Sequence, residues 1–280
     1  MEPATGLTIL GSAIGGAKVV ERILGPTADY VGIGLRNWTQ RRVENVSRIF
    51  EIVTKRLGNQ IDQPGSVHPK VLKEVLEEGS FTEDPLACEN FGGVLASSRS
   101  TVSRDDRGAS FLKLIAELTT YQIRTHYVLY SGMKKVFDGR MVSMGVEEHR
   151  QGCNMFITLE AYRSVMDFGA SEDWATILGH SMFGLYEHGL IGTFLFGALD
   201  DMRRQFPDLR AGGIQYFPSA RGVELFMWAN GFGSLQPHRF LARDLEIPVQ
   251  QDIRIEVGFM PFGEANSESS EPPLSVSVLT

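Results

Sequence analysis

Gly11 to Lys18, GSAIGGAK, follows the apolar LTIL and has the glycine density of a phosphate-binding loop. Such a loop needs Gly-Lys-Ser/Thr, so that the lysine reaches the phosphates and the hydroxyl holds magnesium. Here Ala17 separates Gly16 from Lys18, and Val19 stands where the hydroxyl would be. Glu147, Glu148, His149 and Cys153 gather in EEHRQGC. A metal calls for at least three ligands on rigid elements. A thiol nucleophile calls for a base and an orienting group. Surroundings punctuated by Gly139, Gly145 and Gly152 supply neither, and the stretch reads as an exposed polar connector. His180 and His188 fall on one predicted helix about 12 Å apart by helix rise, too far to share a metal. His188, just before Gly189, suits a helix C-terminus. Asp200 and Asp201 have no comparable neighbours. No catalytic, cofactor-binding or metal-ligating residue is assigned.

The same glycines admit another use. Gly11 and Gly15 form a small-xxx-small pair that lets two helices approach closely, with Ser12 and Gly16 beside them. From Pro3 to Ala17 there is no charged side chain, and the stretch is too short to span a bilayer. It lacks the pattern of a secretory signal. Glycines weaken an isolated helix by about 1 kcal/mol each, so the segment must lean on something. Packing on the protein's own core, self-association and contact with a membrane surface all stay open.

Further along, residues 36–57 give the clearest helix. Val43, Val46, Phe50, Val53 and Leu57 form one stripe, while Arg41, Glu44, Arg48, Glu51 and Lys55 alternate in sign opposite it. Trp38, Arg41 and Arg42 therefore read as part of a solvated face rather than an anion-binding one. Pro69 opens a helix burying Val71, Leu72, Val75 and Leu76. Asp84 caps the next, with Pro85 at its first position. After a polar loop over 98–109, one long helix is expected from Ser110 through Tyr130. A helix over 172–188, capped by Ser171, precedes two strands, 191–196 and 213–217, and a helix in SARGVELFMWAN. That order is the order of a winged-helix module, with Trp174, Phe183, Tyr186, Phe226 and Trp228 in its core. LEIPVQQDIRIEVGF suggests one or two further strands. The Ser-, Glu- and Pro-rich tail from Gly263 is expected to be disordered.

The chain has 280 residues, net charge −7, and is 42% hydrophobic. Residues 1–60 carry net +3 and residues 151–280 net −8. Two cysteines, Cys88 and Cys153, cannot build a disulfide framework. A DNA-reading helix should be basic, yet 171–191 holds Glu172, Asp173 and Glu187 and no Lys or Arg. Arg203, Arg204 and Arg210 in the following loop are offset by Asp200, Asp201 and Asp208. Nucleic acid is therefore not the expected partner.

Several phrases resemble the abortive-infection alpha family of bacteria. They are the apolar N-terminus leading to LGPTADYVGIGL, the run VHPKVLKEVLEEGSFTEDPLACENFGGVLASS, and RGASFLKLIAELTTYQIRTHYVLY. YEHGLI followed by FPSARGVELFMW is similar to that group's winged-helix-like ending. Gly92 and Leu118-Thr119-Thr120-Tyr121 depart from the family pattern, and no residue role is carried over. The resemblance implies an association with phage defence.

The expected architecture is mainly α with a smaller α+β part. A Gly-rich segment (1–25), a helical domain (26–131), a linker (132–152), a winged-helix-like domain (153–262) and a tail (263–280) follow in order. The expected function is a non-enzymatic sensor or effector of an anti-phage response. It would be cytoplasmic, working through a protein partner or self-association through Gly11, Ser12, Gly15 and Gly16, with the inner membrane as a further surface for the same residues. A winged-helix transcriptional regulator or nucleic-acid sensor is the alternative.

Overall fold

The computed structural model describes residues 40–266 apart from Ser103, Met141, Val249, Gln251, Asp252, Glu256 and Val257. The chain divides into two compact units. Among the described residues, one holds 40–123 together with Glu224–Gln236, and the other holds Arg124–Val223 and 237–266. The protein is mainly helical with a small four-stranded antiparallel sheet. No helix among the described residues is long and apolar enough to cross a membrane.

In the first unit, α1 (Gln40–Leu57), α2 (Pro69–Glu77), α3 (Pro85–Ser97) and α4 (Arg107–Glu117) pack around a common core. Val46, Phe50, Val53 and Leu57 of α1 are buried as their spacing requires, joined by Ile49, and Arg41, Glu44, Arg48, Glu51 and Lys55 are exposed. His68 caps α2 by accepting the Lys70 amide through Nδ1 at 3.2 Å. Asp84 caps α3 through the Ala87 amide at 2.8 Å. Buried Arg56 ties α1 to α3 through Glu89 (2.7 Å), and donates to the Asn230 carbonyl at 2.8 Å. Trp228 stacks on Phe111 with ring centroids 5.0 Å apart, and Ser97 donates to its carbonyl at 3.0 Å. Those contacts bring residues 224–236 into this unit.

The second unit is built on α5 (Thr120–Val136, from Arg124 on) and a sheet. Its strands are β1 (Met155–Thr158), β2 (Ile191–Gly197), β3 (Gly213–Pro218) and β4 (Phe259–Pro261). Between them lie α6 (Glu147–Gln151), α7 (Leu159–Met166), α8 (Trp174–Glu187) and α9 (Leu199–Arg203), and α10 (Ala220–Ala229), which follows β3, belongs to the first unit from Glu224 on. The sheet order is β2-β3-β1-β4, so β2 lies at an edge. Cross-strand partners Phe194, Tyr216 and Met155 share one face, with Phe196, Ile214 and Ile157 two residues along. Tyr216 anchors that face to α5 by donating its hydroxyl to the Leu129 carbonyl at 2.7 Å. On the other face Phe156, Leu195 and Met260 pack with Met202, Leu209, Phe206, Phe262 and Ala265.

Four expectations need correction. The long helix beginning at Ser110 is two helices, broken at Leu118-Thr119. Leu118 is extended (ψ 139°), and Thr119 opens the new helix by accepting the Gln122 amide on Oγ1 at 3.3 Å. The cap of α8 is Asp173 rather than Ser171, because its carboxylate accepts the amides of Ala175 and Thr176. Among the described residues of 245–259, strand pairing begins only at Phe259. Pro248 has no amide to donate, and the Ile253 amide closes a turn onto the Gln250 carbonyl at 3.2 Å. Finally, residues 263–266 are ordered in a 3-10 turn (Phe262–Asn266), held by the Phe262 amide on the Asn154 carbonyl (2.9 Å) and by burial of Ala265.

Candidate functional site: an aromatic face on one helix and an edge strand

Helix α8 is capped by Asp173, whose carboxyl lies below its ordinary range because the Thr176 hydroxyl and the first amides hydrogen-bond it. Leu178, Ser181, Met182 and Leu185 turn inward, which leaves Thr176, His180, Phe183 and Tyr186 outward. Phe183 is 58% exposed and Tyr186 50%. The sequence expectation of a core position for both does not hold, because each lies on the outward side of α8. They are not isolated surface aromatics. Phe183 meets Phe194 edge-on at 5.4 Å and Phe196 at 6.1 Å, and Tyr186 meets Phe194 at 5.7 Å. Phe194 and Phe196 lie parallel, 6.1 Å apart along β2. A Cβ on Gly179 would stand 3.8 Å from the Phe196 ring, an ordinary van der Waals contact, so the approach does not depend on a glycine there. Four aromatic rings thus form one face, half of it open to water, on an element with no Lys or Arg.

The signal for this face was present in the residues. Phe183 and Tyr186 are one helical turn apart, and IGTFLFG carries no charge. What the sequence did not tell is that the sheet ends at β2.

Beside the start of α8 lies an open cleft of about 590 Å³, lined by Leu159, Glu160, Arg163, Ser164, Phe168 and Trp174. The Arg163 guanidinium sits 4.8 Å from the Trp174 ring centroid, a cation–π stack that shields the indole.

The residues singled out from sequence are dispersed. Gly11, Ser12, Gly15, Gly16, Lys18 and Trp38 lie outside the described residues. Arg42 donates to the Ser80 hydroxyl at 3.0 Å and lies over the Phe81 ring, and Arg41 pairs with Glu83 at 3.7 Å. Glu147, Glu148 and His149 are exposed on α6, and His149 Nδ1 accepts the Ser143 amide at 3.1 Å. Cys153 is buried, and burial pushes its thiol up to about 11. A thiol in that state is not a nucleophile at neutral pH. His180 is exposed on α8, while His188 caps its end, its carbonyl taking a hydrogen bond from Arg221 at 2.8 Å. Asp200 and Asp201 sit in the first turn of α9, and Asp201 pairs with Arg204 at 3.5 Å. Arg203 donates to the Leu209 carbonyl at 2.8 Å. Among the described residues no three His, Cys, Asp or Glu side chains are grouped to hold a metal.

No family model, no curated protein and no solved structure matches the chain. The resemblance to the abortive-infection alpha family therefore stands on the phrases quoted above.

Proposed function

We propose that this chain is a protein-interaction component of a bacterial anti-phage response, with no chemistry of its own, whose second unit docks a partner on the α8–β2 aromatic face. The observation that carries the docking reading is the exposure of Phe183 and Tyr186 over Phe194 and Phe196. Aromatic side chains are enriched among the few residues that dominate interface energetics. Ring pairs of this kind add about 0.5–1.5 kcal/mol beyond the area they bury.

We read the second unit as winged-helix-like. The succession α5, β1, α7, α8, β2, β3, with neighbours β2-β3-β1 in the sheet, supports this. In that reading α8 is the helix a DNA-binding relative would place in the major groove. Its lack of Lys and Arg favours a protein partner over phosphate contacts. The phage-defence setting is drawn from the sequence resemblance alone.

The test is the double variant Phe183→Asp/Tyr186→Asp in a phage-challenged host. Both side chains are at least half exposed, so the variant keeps its circular dichroism and melting temperature while phage plating recovers. Full protection by a folded variant rejects the docking face. Salt-sensitive binding of duplex DNA by the unaltered chain, lost in the variant, would transfer the face to nucleic-acid sensing.

A further inference from the structure

We propose that β2 pairs through its outer edge with β2 of a second copy of this chain, antiparallel and centred on Leu195. This rests on the α8–β2 face being the docking surface, and it names the partner.

A strand that ends a sheet turns the amides and carbonyls of alternate residues toward its unpaired side. Strand β2 is in that position, and among the described residues no strand lies beyond it. Edges are ordinarily guarded by charge, proline or a bulge. IGTFLFG has neither charge nor proline. Its one irregularity lies between Ile191 and Phe194, so 194–197 forms a regular ladder with β3. Thr193, at the head of that ladder, is exposed.

The strand fits itself. Two-fold antiparallel pairing keeps like faces together, because directly opposed residues share a side of the sheet. Centred on Leu195, it sets Phe194 opposite Phe196 of the second copy and Thr193 opposite Gly197. The row of Phe194 and Phe196, with Phe183 and Tyr186 beside it, then becomes one apolar strip across both copies. Thr193 meets a residue without a side chain.

Charge selects a second copy over an unrelated strand. The entry end of β2 carries Arg221, which donates to the His188 carbonyl at 2.8 Å. A Cβ on Gly189 would stand 3.9 Å from its Cδ. Glu187, exposed, is at the same end. At the exit end a Cβ on Gly197 would stand 3.4 Å from the Asp201 Cβ, and Asp200 beside it is exposed. Arg204 pairs with Asp201 there at 3.5 Å. The half-turn that pairs the strands brings the entry end of one copy to the exit end of the other. Arg221 then approaches Asp200, Glu187 approaches Arg204, and symmetry repeats both contacts. Opposite charges thus meet at each end of an uncharged strip.

Sedimentation velocity and amide hydrogen exchange on the full chain test this over a range of concentrations. A monomer–dimer equilibrium is expected, with exchange across 193–197 slowing as the dimer forms. Thr193→Lys places a charge at an exposed edge position and is expected to weaken dimerisation at least about tenfold without lowering the melting temperature. Arg221→Glu and Asp200→Arg each weaken it, and the combined Arg221→Glu/Asp200→Arg recovers it, which a merely damaged fold would not do. A chain that stays monomeric overturns the proposal. So does a dimer that Thr193→Lys leaves intact, or an edge already protected in the monomer. The two readings of this face fail separately. A monomer, combined with lost phage protection in Phe183→Asp/Tyr186→Asp, removes the second copy and keeps the docking face. A Thr193-dependent dimer combined with full protection in that variant does the reverse.

Discussion

His126 is a buried base. Its Nε2 lies 3.1 Å from the Gly222 carbonyl, which can only accept, so that nitrogen carries the proton and the ring is a neutral donor. The Tyr130 ring lies 4.7 Å away. Burial lowers its pKa to about 4, while the carbonyl contact works in the opposite direction. The unfolded chain protonates this histidine near pH 6.5 and the folded chain only near 4. Between those values the unfolded state binds the extra proton, so stability is complete above about pH 6.5 and declines as the pH falls toward 4. The decline amounts to about 3 kcal/mol from this one group. His126→Gln keeps a donor for Gly222 and removes the titration. Its melting temperature is expected to start lower at pH 7.5 and to fall less steeply from pH 6.5 to 4.5 than that of the unaltered protein. Parallel curves for the two proteins would show that His126 does not set the acid limit.

The elements place the same logic one level up. The break between α4 and α5 is a reciprocal cap, in which the Thr119 amide donates to Gln122 Oε1 at 2.9 Å and the Gln122 amide donates to Thr119 Oγ1. Thr119→Ala is expected to cost about 1 kcal/mol, a fall of about 2–4 °C in melting temperature. Gly93→Ala should cost more. A Cβ on Gly93 of α3 would stand 1.7 Å from the Ala229 carbonyl oxygen, which is backbone and cannot rotate away. Calorimetry of both variants decides this, and a smaller shift for Gly93→Ala than for Thr119→Ala would contradict the close approach. The two cases also show what the residues disclosed. Thr119-x-x-Gln122 is a capping-box spacing, legible in the text but overridden there by the apolar run from Phe111 to Leu129. The heptad-like stripe of α1, the Pro-led starts of α2 and α3, and the β2–β3 pairing were all legible because each rests on local spacing. Gly93's partner is 136 residues away in sequence, and no local pattern carries such a contact. The exposure of Phe183 escaped for the same reason, since it depends on which strand happens to end the sheet.

At the scale of the whole chain, charge separates two ways of meeting a membrane. Residues 1–60 carry net +3, but the first 24 hold Glu2, Lys18, Glu21 and Arg22 and are neutral in sum. Within residues 1–60, attraction to anionic lipid would therefore come from Arg36, Arg41, Arg42, Arg48, Lys55 and Arg56, and several of the arginines of α1 already have partners in the fold. Arg42 lies over Phe81, Arg41 pairs with Glu83, and Arg48 donates to the Glu83 carbonyl at 3.4 Å. The proposed membrane contact of residues 1–24 would rest on their apolar side chains instead. Flotation with anionic liposomes is thus expected to need residues 1–24 and to persist in roughly 1 M salt, where screening confines electrostatics to about 3 Å. A chain lacking residues 1–24 is expected to keep its melting temperature and remain at the bottom of the gradient. Flotation that salt abolishes, or that survives the deletion, would assign the contact to α1. If the full chain does not float at all, Gly11 and Gly15 are left with the close packing of helices as their use, and the α8–β2 face becomes the principal surface through which the protein acts.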